Sequence, residues 1–379
     1  MKILFINTSP ISGGVERYLL NLCQFLKMKN EIALILSERN PLASEFEKIA
    51  PVQFLETGAS LEKWRGLNLF SPINFILKNQ FKKITGNKVD FDLIVFAGYL
   101  KDIFLFSAIG NFVKVCFIHT SPPLWLSLFP FKNLFIASLN KLNKIITVSD
   151  FMNLRLRSYI GREKLEVVKN GTDLGKFYPA SAEQKEKIKQ ELNLSINSLV
   201  IGNTSRIHRA KGQIDLLKMV FDLKKDYPNL KLLLVDSGSF YAENELKKTI
   251  KDFRLEKDVL WLPFQKEIQR FYKAMDIFAL PSLSENFPLT ILEAMASGLP
   301  IVAFKIAGIS EQIENKKEGF LISEGNYQDF ENKLEVLIKD KKLREEFGQK
   351  GREKAEKEFN QNMVFSKVEQ IFKATKGDS

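Results

Sequence analysis

Residues 198–238 read SLVIGNTSRIHRAKGQIDLLKMVFDLKKDYPNLKLLLVDSG, and this stretch decides the fold class. SLVIGNTS (198–205) and LKLLLVDSG (230–238) are short apolar runs that end in polar or small residues, which is typical of buried parallel strands. Between them, KGQIDLLKMVFDLKKDYP (211–228) is an amphipathic segment with helical periodicity. A strand, a helix and a second strand in this order predict a parallel β-α-β unit.

The same alternation of strands and helices runs through the rest of the chain and predicts doubly wound α/β domains. A length of 379 residues favours two of them. Gly171, Gly175 and Pro179 interrupt the alternation, so we place the linker near Pro179. The predicted domains are residues 1–179 and 180–359, with a last amphipathic helix at about 360–379 that crosses back to the first. The other strand runs are KILFIN (2–7), EIALILS (31–37), DLIVFAG (92–98), VKVCFIH (113–119), KIITVS (144–149), DVLWLPF (258–264), DIFALPS (276–282) and LPIVAF (299–304).

Composition is that of a soluble globular protein, with 45% hydrophobic and 27% charged residues. Residues 1–179 carry 23 Lys and Arg against 14 Asp and Glu, so this part alone accounts for +9 of the net charge of +11. A basic half can bind nucleic acid, an anionic membrane or a phosphorylated substrate, or its charge can simply keep the protein soluble. Nucleic acid is the least favoured of these, because no zinc-finger spacing, basic zipper or RNP-like strand is present.

The cysteines and the apolar runs bear on location. Cys23 and Cys116 are far apart and suit a reducing compartment. The opening apolar run, Ile3 to Ile6, is too short for a signal peptide. The stretch 122–142 is broken by Pro130 and Lys132 and makes a poor membrane span. The expected location is the cytoplasm.

Parallel sheets of this kind bind ligands beyond the carboxyl ends of their strands, so the loops there are the places to search. The first is TSPISGGVERYLL (8–20), where Gly13 and Gly14 allow a ligand close to the backbone. The loop is not G-x-G-x-x-G, which disfavours NAD. Taken alone, it is equally consistent with a tight strand-to-helix turn.

The second loop is IGNTSRIHRAKGQIDLL (201–217). Arg206 stands just past a strand and Lys211 just before a helix, with Gly212 keeping the backbone accessible. Two cations at a helix N-terminus can hold a pyrophosphate and stabilise it as it leaves. The alternative is a solvated basic loop.

The third loop is PSLSENFPLTILEAMASGLPIV (281–302), which holds Glu285 and Glu293 eight residues apart. Pro288 suits the first turn of a helix, so Glu285 is predicted to lie before the helix and Glu293 within it. Carboxylates accept hydrogen bonds from vicinal hydroxyls, so one acid could hold a sugar and the other a ribose. The alternatives are a helix-dipole partner for Glu285 and a surface position for Glu293. The free N–H groups predicted to favour an anion are those near Phe287, Leu289 and Thr290.

Three stretches together resemble a known family: SRIHRAKG (205–212), PSLSENFPLTILEAMASGLPIVAFKIAGISEQI (281–313) and ITVSDFMNLRLRSYIGREKLEVVKNGTDLGKFYP (146–179). They resemble the retaining glycosyltransferases of sequence family 4, also called group 1 glycosyl transferases. The resemblance implies the GT-B fold, in which two Rossmann-like domains face each other across a cleft. It also implies transfer of a sugar, often a hexose, from a nucleotide-sugar donor with retained configuration and without a metal ion or other cofactor.

The resemblance also implies residue roles. The first acid of the family's E-x7-E motif, which contacts the donor sugar, falls on Glu285, and the second, which binds the ribose, falls on Glu293. The diphosphate-binding cations fall on Arg206 and Lys211, and a histidine near the reacting sugar falls on His119. Glu285, His119, Arg206 and Lys211 are the predicted catalytic residues. Donor binding is predicted for Arg206 and Lys211 together with Gly14, Asn286, Phe287, Leu289, Thr290 and Glu293.

Two features depart from that pattern. In LVDSGSF (234–240), Asp236 stands where the family usually has the first glycine of a G-x-G, which puts the contacts to the nucleotide base in doubt. Asp90 and Asp92 form a D-x-D, a motif that other glycosyltransferases use for a divalent cation. Because this motif precedes its strand, we interpret it as polarity at the amino edge of the sheet.

The expected partners are a nucleotide-sugar donor and a glycan or lipid-linked acceptor, in bacterial surface polysaccharide or lipopolysaccharide biosynthesis. Residues 63–84 and 122–144 mix aromatic and basic residues, which predicts peripheral contact with an anionic membrane, although the aromatics could equally be core. Two other functions stay open: an epimerase-like enzyme acting on nucleotide sugars, and a non-catalytic sugar-nucleotide binding protein. Detecting transfer to an acceptor separates the enzymes, and the complete set of four charged residues argues against the binding protein.

Overall fold

The computed structural model describes residues 1–9, 13–38, 40–55, 91–98, 102–103, 107, 112–119, 131–236 and 238–377. The chain forms two compact units, Met1–Lys169 with Val364–Ser379, and Asn170–Met363. The division falls before the linker predicted near Pro179, because residues just after Lys169 pack on the second unit. Asn170 donates a hydrogen bond from Nδ2 to the Phe287 carbonyl (2.8 Å), and the ring of Phe177 meets that of Tyr272 edge-on.

The first unit has a parallel sheet of seven strands in the order β3-β2-β1-β4-β5-β6-β7. The last helix of the chain contributes the residues from Val364 onward to this unit. The strands are β1 Lys2–Asn7, β2 Glu31–Ser37, β3 Val52–Leu55, β4 Leu93–Ala97, β5 Lys114–Ile118, β6 Lys144–Thr147 and β7 Leu165–Val167. The helices that are described are α1 Gly14–Leu26, α2 Ala43–Glu47, α3 Phe131–Asn140, α4 Asp150–Leu156 and α13 Gln361–Gly377, with a 3-10 turn at Arg162–Lys164.

The second unit has a parallel sheet of six strands in the order β10-β9-β8-β11-β12-β13. The strands are β8 Leu199–Asn203, β9 Leu230–Val235, β10 Val259–Leu262, β11 Ile277–Leu280, β12 Ile301–Phe304 and β13 Gly319–Ile322. The helices are α5 Ala182–Glu191, α6 Gln213–Leu223, α7 Phe240–Asp252, α8 Gln269–Tyr272, α9 Leu289–Ala296, α10 Ile309–Gln312, α11 Tyr327–Lys339 and α12 Lys341–Glu358, with a 3-10 turn at Arg209–Lys211.

The two parallel sheets confirm the predicted fold class, and every strand that the sequence predicts is present. The central strands are easy to predict because both faces are covered: all five residues of β4 and of β5 are buried. The sequence interpretation misses β3, β7 and β13. All three are sheet-edge strands of only three or four residues, too short to give a clear pattern in the sequence.

Within the described ranges, no helix combines the length and the apolar composition that crossing a bilayer requires. The last helix instead packs on the first unit through aromatic contacts. Phe365 meets the ring of Tyr18 edge-on at 5.4 Å, and Phe372 does the same with Phe117 at 6.2 Å. Lys376 also pairs with Asp92 at 2.7 Å.

One buried ion-pair cluster ties α5 to the second sheet. The Asp276 carboxylate, just before β11, lies 2.6 Å from Lys185 Nζ and 3.4 Å from Lys189 Nζ, and it accepts a hydrogen bond from Val200 N. Burial acts to raise the pKa of Asp276, but the charges of Lys185 and Lys189 and these hydrogen bonds outweigh it, so the pKa is lowered. The cluster therefore stabilises the fold only while Asp276 is ionised.

We predict that Asp276→Asn lowers the free energy of unfolding by about 3 kcal/mol near neutral pH, because the buried Lys189 ammonium loses its counter-charge. A lowered folded-state pKa means that this contribution is complete above the ordinary value of 3.8 and is lost as pH falls through the folded-state value. Urea unfolding at neutral and acidic pH measures both effects. Asp222→Asn, at an exposed pair with Lys225, is the matched control and should cost about 0.5 kcal/mol or less. Equal losses in the two variants would contradict the assignment.

Candidate functional site

The loops that follow β8 and β11 are locked together at the carboxyl edge of the second sheet. Gly212, between the 3-10 turn and α6, has φ +72°, and a Cβ there would overlap the carbonyl oxygen of Pro281. The carbonyl of Ala210 accepts hydrogen bonds from Leu283 N (2.8 Å) and Ser282 Oγ (3.0 Å). Only glycine meets both the conformational and the spatial requirement at position 212, and the contact places Lys211 beside the β11 loop.

Lys211 and Glu285 form an ion pair between these two loops. Lys211 Nζ lies 2.5 Å from Glu285 Oε1 and 3.4 Å from the Ser284 carbonyl oxygen. The two side chains keep 24% and 10% of their surface exposed, so the pair is reachable by a ligand but mostly shielded from water. Glu285, the first acid of the E-x7-E motif, is thus already matched to a cation.

Arg206 lies three residues past the end of β8, and its side chain is exposed. Its backbone is fixed, since Gln213 Nε2 donates to the Arg206 carbonyl (3.0 Å) and to the Ser205 carbonyl (3.1 Å). Among the residues that the structure describes, the guanidinium has no ion-pair partner. The same edge of the sheet therefore presents one paired and one exposed cation.

Helix α9 begins at Leu289, with Pro288 as the residue that precedes it (φ −65°, ψ 131°). The sequence predicts Pro288 in the first turn of the helix, but Pro288 lies one position before that turn. No side chain among the described residues caps this N-terminus, so its first backbone N–H groups keep their capacity to bind an anion. Thr290 Oγ1, in the first turn, is buried and has no hydrogen-bond partner among the described residues.

Asn286 and Phe287, the two residues before Pro288, are held in place from two sides. Asn286 and Phe287 are buried, and Gly308 packs so closely that a Cβ there would overlap the Asn286 carbonyl oxygen. From the other side, Asn170 holds the Phe287 carbonyl. The predicted donor-binding residues of this loop therefore occupy a rigid turn, in which position 308 has no room for any side chain.

Glu293 lies in the second turn of α9 and is 7% exposed, which excludes the alternative of a surface position. Tyr272, buried at the end of α8, donates its hydroxyl proton to Glu293 Oε2 at 2.6 Å. The same hydroxyl lies 2.5 Å from Thr204 Oγ1, just past β8. A carboxylate only accepts hydrogen bonds, so the proton order that satisfies all three groups is Thr204 to Tyr272 to Glu293.

Tyr272 and Thr204 were not predicted from the sequence. Thr204 carries a weak signal, because it follows a strand at the carboxyl edge, but Tyr272 lies in a short helix with no motif of its own. Tyr272 joins this arrangement through a contact across 21 residues of chain, which periodicity does not reveal. Asn203 contributes to the same edge by donating to the Ala279 carbonyl at 2.7 Å.

His119 lies in the first unit, directly after β5, as the sequence predicts. It is buried, with the Phe117 ring stacked on it at 5.7 Å and the Tyr18 ring edge-on at 4.8 Å. Burial lowers the pKa of His119 to about 4, so the imidazole is neutral near pH 7. A neutral imidazole can donate one hydrogen bond and accept another.

Gly14, the other site residue predicted in the first unit, is the first residue of α1. The buried carboxylate of Glu16 lies at this same helix N-terminus, which the sequence interpretation overlooked. Burial raises the pKa of Glu16, while hydrogen bonds from its own backbone, Ser9, Gly13 and Asn7 act in the opposite direction. These bonds hold the turn around Gly13. Residues 10–12 of the loop lie outside the described residues.

Comparisons with known proteins identify the family. The group 1 glycosyl transferase model matches residues 184–354, and the glycosyltransferase family 4 model matches residues 12–176. The chain belongs to the family 4 glycosyltransferases. Its two parallel-sheet units are those of the GT-B fold: Anabaena HepE in complex with UDP-glucose superposes with a TM-score of 0.85 at 22% identity, over 99% of this chain and all of that one.

Two relatives of this glycosyltransferase act in bacterial glycan synthesis. It is 29% identical, over 90% of its own length and 89% of the other's, to the Escherichia coli UDP-Gal:alpha-D-GlcNAc-diphosphoundecaprenol alpha-1,3-galactosyltransferase. It is 28% identical, over about half of each chain, to the Staphylococcus aureus capsular polysaccharide biosynthesis glycosyltransferase CapM. The chain is therefore a glycosyltransferase whose named relatives build lipid-linked and capsular glycans.

Asp236, where the family usually has glycine, adopts a backbone conformation that favours glycine, with φ +152°. Its backbone is held on both sides, since its N–H donates to the Leu262 carbonyl (3.1 Å) and its own carbonyl accepts from Trp261 Nε1 (3.0 Å). Gly238, two residues on, bridges to Ile207 beside Arg206. The glycosyltransferase thus retains the glycine-type backbone here but places a carboxylate on it.

Asp92, the second acid of the D-x-D motif, lies at the amino edge of the first sheet. Asp92 precedes β4, accepts a hydrogen bond from Lys2 N (2.9 Å) and pairs with Lys376, so it is engaged in holding strand and helix ends together. Asp90 and residues 63–84 lie outside the described residues, as do residues 122–130 of the second aromatic and basic segment.

We predict that Tyr272→Phe weakens nucleotide binding about tenfold or more, because Glu293 loses a hydrogen bond to a buried carboxylate, worth roughly 1.5–3 kcal/mol. The rate at saturating donor should change less, since Tyr272 acts through Glu293. Calorimetric titration with UDP and steady-state kinetics measure the two effects. Tyr178→Phe, which removes a half-buried hydroxyl that accepts a hydrogen bond from Lys273 Nζ, is the matched control. Unchanged UDP affinity in Tyr272→Phe would contradict a role in positioning Glu293.

Proposed function

We propose that this glycosyltransferase moves a sugar from a UDP-sugar donor to a lipid-linked or glycan acceptor in the synthesis of a bacterial surface polysaccharide or lipopolysaccharide. The observation that carries the proposal is the convergence of Lys211, Glu285 and Glu293 at one sheet edge, beside the open N-terminus of α9. The E. coli relative supports the choice of UDP and of a lipid-linked acceptor, since its name contains both.

In this proposal the donor diphosphate lies against Arg206 and Lys211. Lys211 already has a partner, so a diphosphate must share or replace its contact with Glu285. In that exchange one anion takes the place of another beside the same ammonium. The exchange also releases Glu285 Oε1, which then can accept hydrogen bonds from hydroxyls of the donor sugar.

Glu293 is the proposed ribose ligand. The two vicinal hydroxyls of a ribose are hydrogen-bond donors, and a carboxylate can accept from both at once. Tyr272 helps to keep Glu293 oriented in its buried position. The α9 N-terminus between the two acids adds a positive electrostatic potential that suits the phosphates which link ribose and sugar.

The proposed chemistry retains the configuration of the sugar and needs no metal ion. The reason for the second part is the charge available: as the sugar–phosphate bond breaks, negative charge grows on the diphosphate, and Arg206 and Lys211 can stabilise it. His119, on the other unit, is the proposed contact to the reacting sugar, and its neutral imidazole suits hydroxyl groups rather than phosphate. The proposed location is the cytoplasm, with peripheral contact to an anionic membrane.

We predict that Lys211→Ala lowers kcat roughly a hundredfold or more, because the leaving diphosphate loses a cation where charge develops. Donor affinity should fall less than kcat, since that charge is greatest in the transition state. Radiolabelled sugar transfer, followed with EDTA present, measures the rate and tests the metal-free mechanism together. Lys218→Ala, at an exposed lysine on α6 paired with Asp215, is the control. Wild-type turnover in Lys211→Ala would contradict the proposed role of Lys211. Loss of all activity in EDTA would contradict the metal-free mechanism.

Substitutions of the two acids should have different effects on UDP binding. Glu293→Gln is expected to weaken UDP binding, because the ribose loses a charged acceptor. Glu285→Gln should leave UDP affinity equal or higher, since Lys211 is released from its ion pair, yet it should impair turnover of the complete UDP-sugar. Titration with UDP, followed by assays of transfer and of donor isomerisation, distinguishes these outcomes. Equal UDP affinities in the two variants would contradict the division of roles, and isomerised donor without transfer would favour an epimerase.

A further inference from the structure

Helix α4 presents large apolar side chains to solvent. Phe151 and Leu154 are 40% and 60% exposed, and Tyr159, just past the helix, is 43% exposed. Phe151, Leu154 and Arg155 share one helical face, while Met152 and Leu156 are buried against the sheet. The helix is therefore apolar on its inner side and carries further apolar groups on its outer side.

Basic side chains are interleaved with these apolar ones. Arg155 lies over the Phe151 ring at 5.7 Å, and Lys132 from α3 lies over the Tyr159 ring at 4.4 Å. Residues 131–169 carry 8 Lys and Arg against 3 Asp and Glu, a net charge of +5. We call Lys132, Phe151, Leu154, Arg155 and Tyr159 the α4 surface. Its chemistry fits a partner that is both anionic and apolar.

The α4 surface belongs to the sheet edge at which the acceptor is expected. Helix α4 starts after the carboxyl end of β6, and β6 pairs with β5, whose carboxyl end leads to His119. A lipid-linked acceptor would present its sugar near a membrane surface. A surface that binds lipid, next to the strand that carries His119, would bring that sugar toward the reacting edge.

We propose that the α4 surface docks the enzyme on anionic phospholipid, with Phe151, Leu154 and Tyr159 entering the interface and Arg155 and Lys132 contacting lipid phosphates. Aromatic and basic residues side by side are typical of such peripheral contacts. A second copy of the chain is a poorer occupant, because a self-contact would bring two like-charged faces together. The proposal rests on the proposed lipid-linked acceptor for its purpose, but vesicle binding tests it independently.

The experiment is flotation of the full chain with vesicles of phosphatidylcholine, with and without phosphatidylglycerol. We expect binding to the anionic vesicles only, weakened by added salt. Lys132→Glu/Arg155→Glu should reduce binding about tenfold or more. Phe151→Ser/Leu154→Ser should remove the part that persists in high salt, because apolar insertion is not screened.

The matched control is Phe240→Ser/Tyr241→Ser at the start of α7. These aromatics are more exposed (75% and 84%), but residues 238–258 carry 5 basic and 5 acidic side chains. This variant should bind vesicles like the wild type. Thermal unfolding checks that each variant is folded, and UDP titration should be unchanged in the α4 variants.

The possible outcomes separate the two proposals. Vesicle binding that survives both α4 variants overturns the α4 surface, as does binding that is lost equally in the α7 control. A shift in sedimentation coefficient with the α4 variants, without any vesicle binding, would assign the surface to a second copy instead. Failure of the wild type to bind UDP would count against the proposed function and leave the vesicle result standing.

Discussion

The carbonyl of Pro281 packs against the α-carbon of Gly212 so closely that no side chain fits at position 212, and the carboxyl edge of the second sheet depends on this contact. It joins the loop after β8 to the loop after β11, two strands that are neighbours in the sheet but far apart in sequence. The Ala210 carbonyl completes the junction. Without it, Lys211 would not reach Glu285, and the two halves of the proposed donor site would be independent loops.

The polar groups at this edge differ in how many of their hydrogen-bond and ion-pair partners the protein itself supplies. Glu293 is buried and accepts a hydrogen bond from Tyr272, which suits a residue that holds one ligand group in a fixed place. Glu285 and Lys211 satisfy each other, so their contacts can be exchanged for those of a ligand. Arg206 is exposed, and Thr290 Oγ1 is buried without a partner among the described residues. This gradation, from fixed to exchangeable to open, is what a site needs if it binds a nucleotide firmly and acts on the bond beyond it.

The sequence predicts the fold well where local pattern decides it. Strands such as β4 and β5 are apolar throughout because both faces are covered, and the loops at their carboxyl ends follow directly. The placement of Glu285 before α9 and Glu293 within it also comes from local signals. Tyr272 and Glu16 were missed because their importance arises from burial and from contacts that form only in the folded chain. The edge strands β3 and β7 were missed because they are only four and three residues long, too short to give a clear pattern in the sequence.

The most direct test of the proposed donor site is a crystal structure of the chain with bound UDP. We predict ribose hydroxyls within hydrogen-bonding distance of the Glu293 carboxylate, and the diphosphate between Lys211 Nζ and the Arg206 guanidinium. We also predict that Lys211 Nζ moves away from Glu285 Oε1, relative to the present 2.5 Å. A ribose on Glu285, or UDP bound away from the loops after β8 and β11, would contradict the proposed donor site.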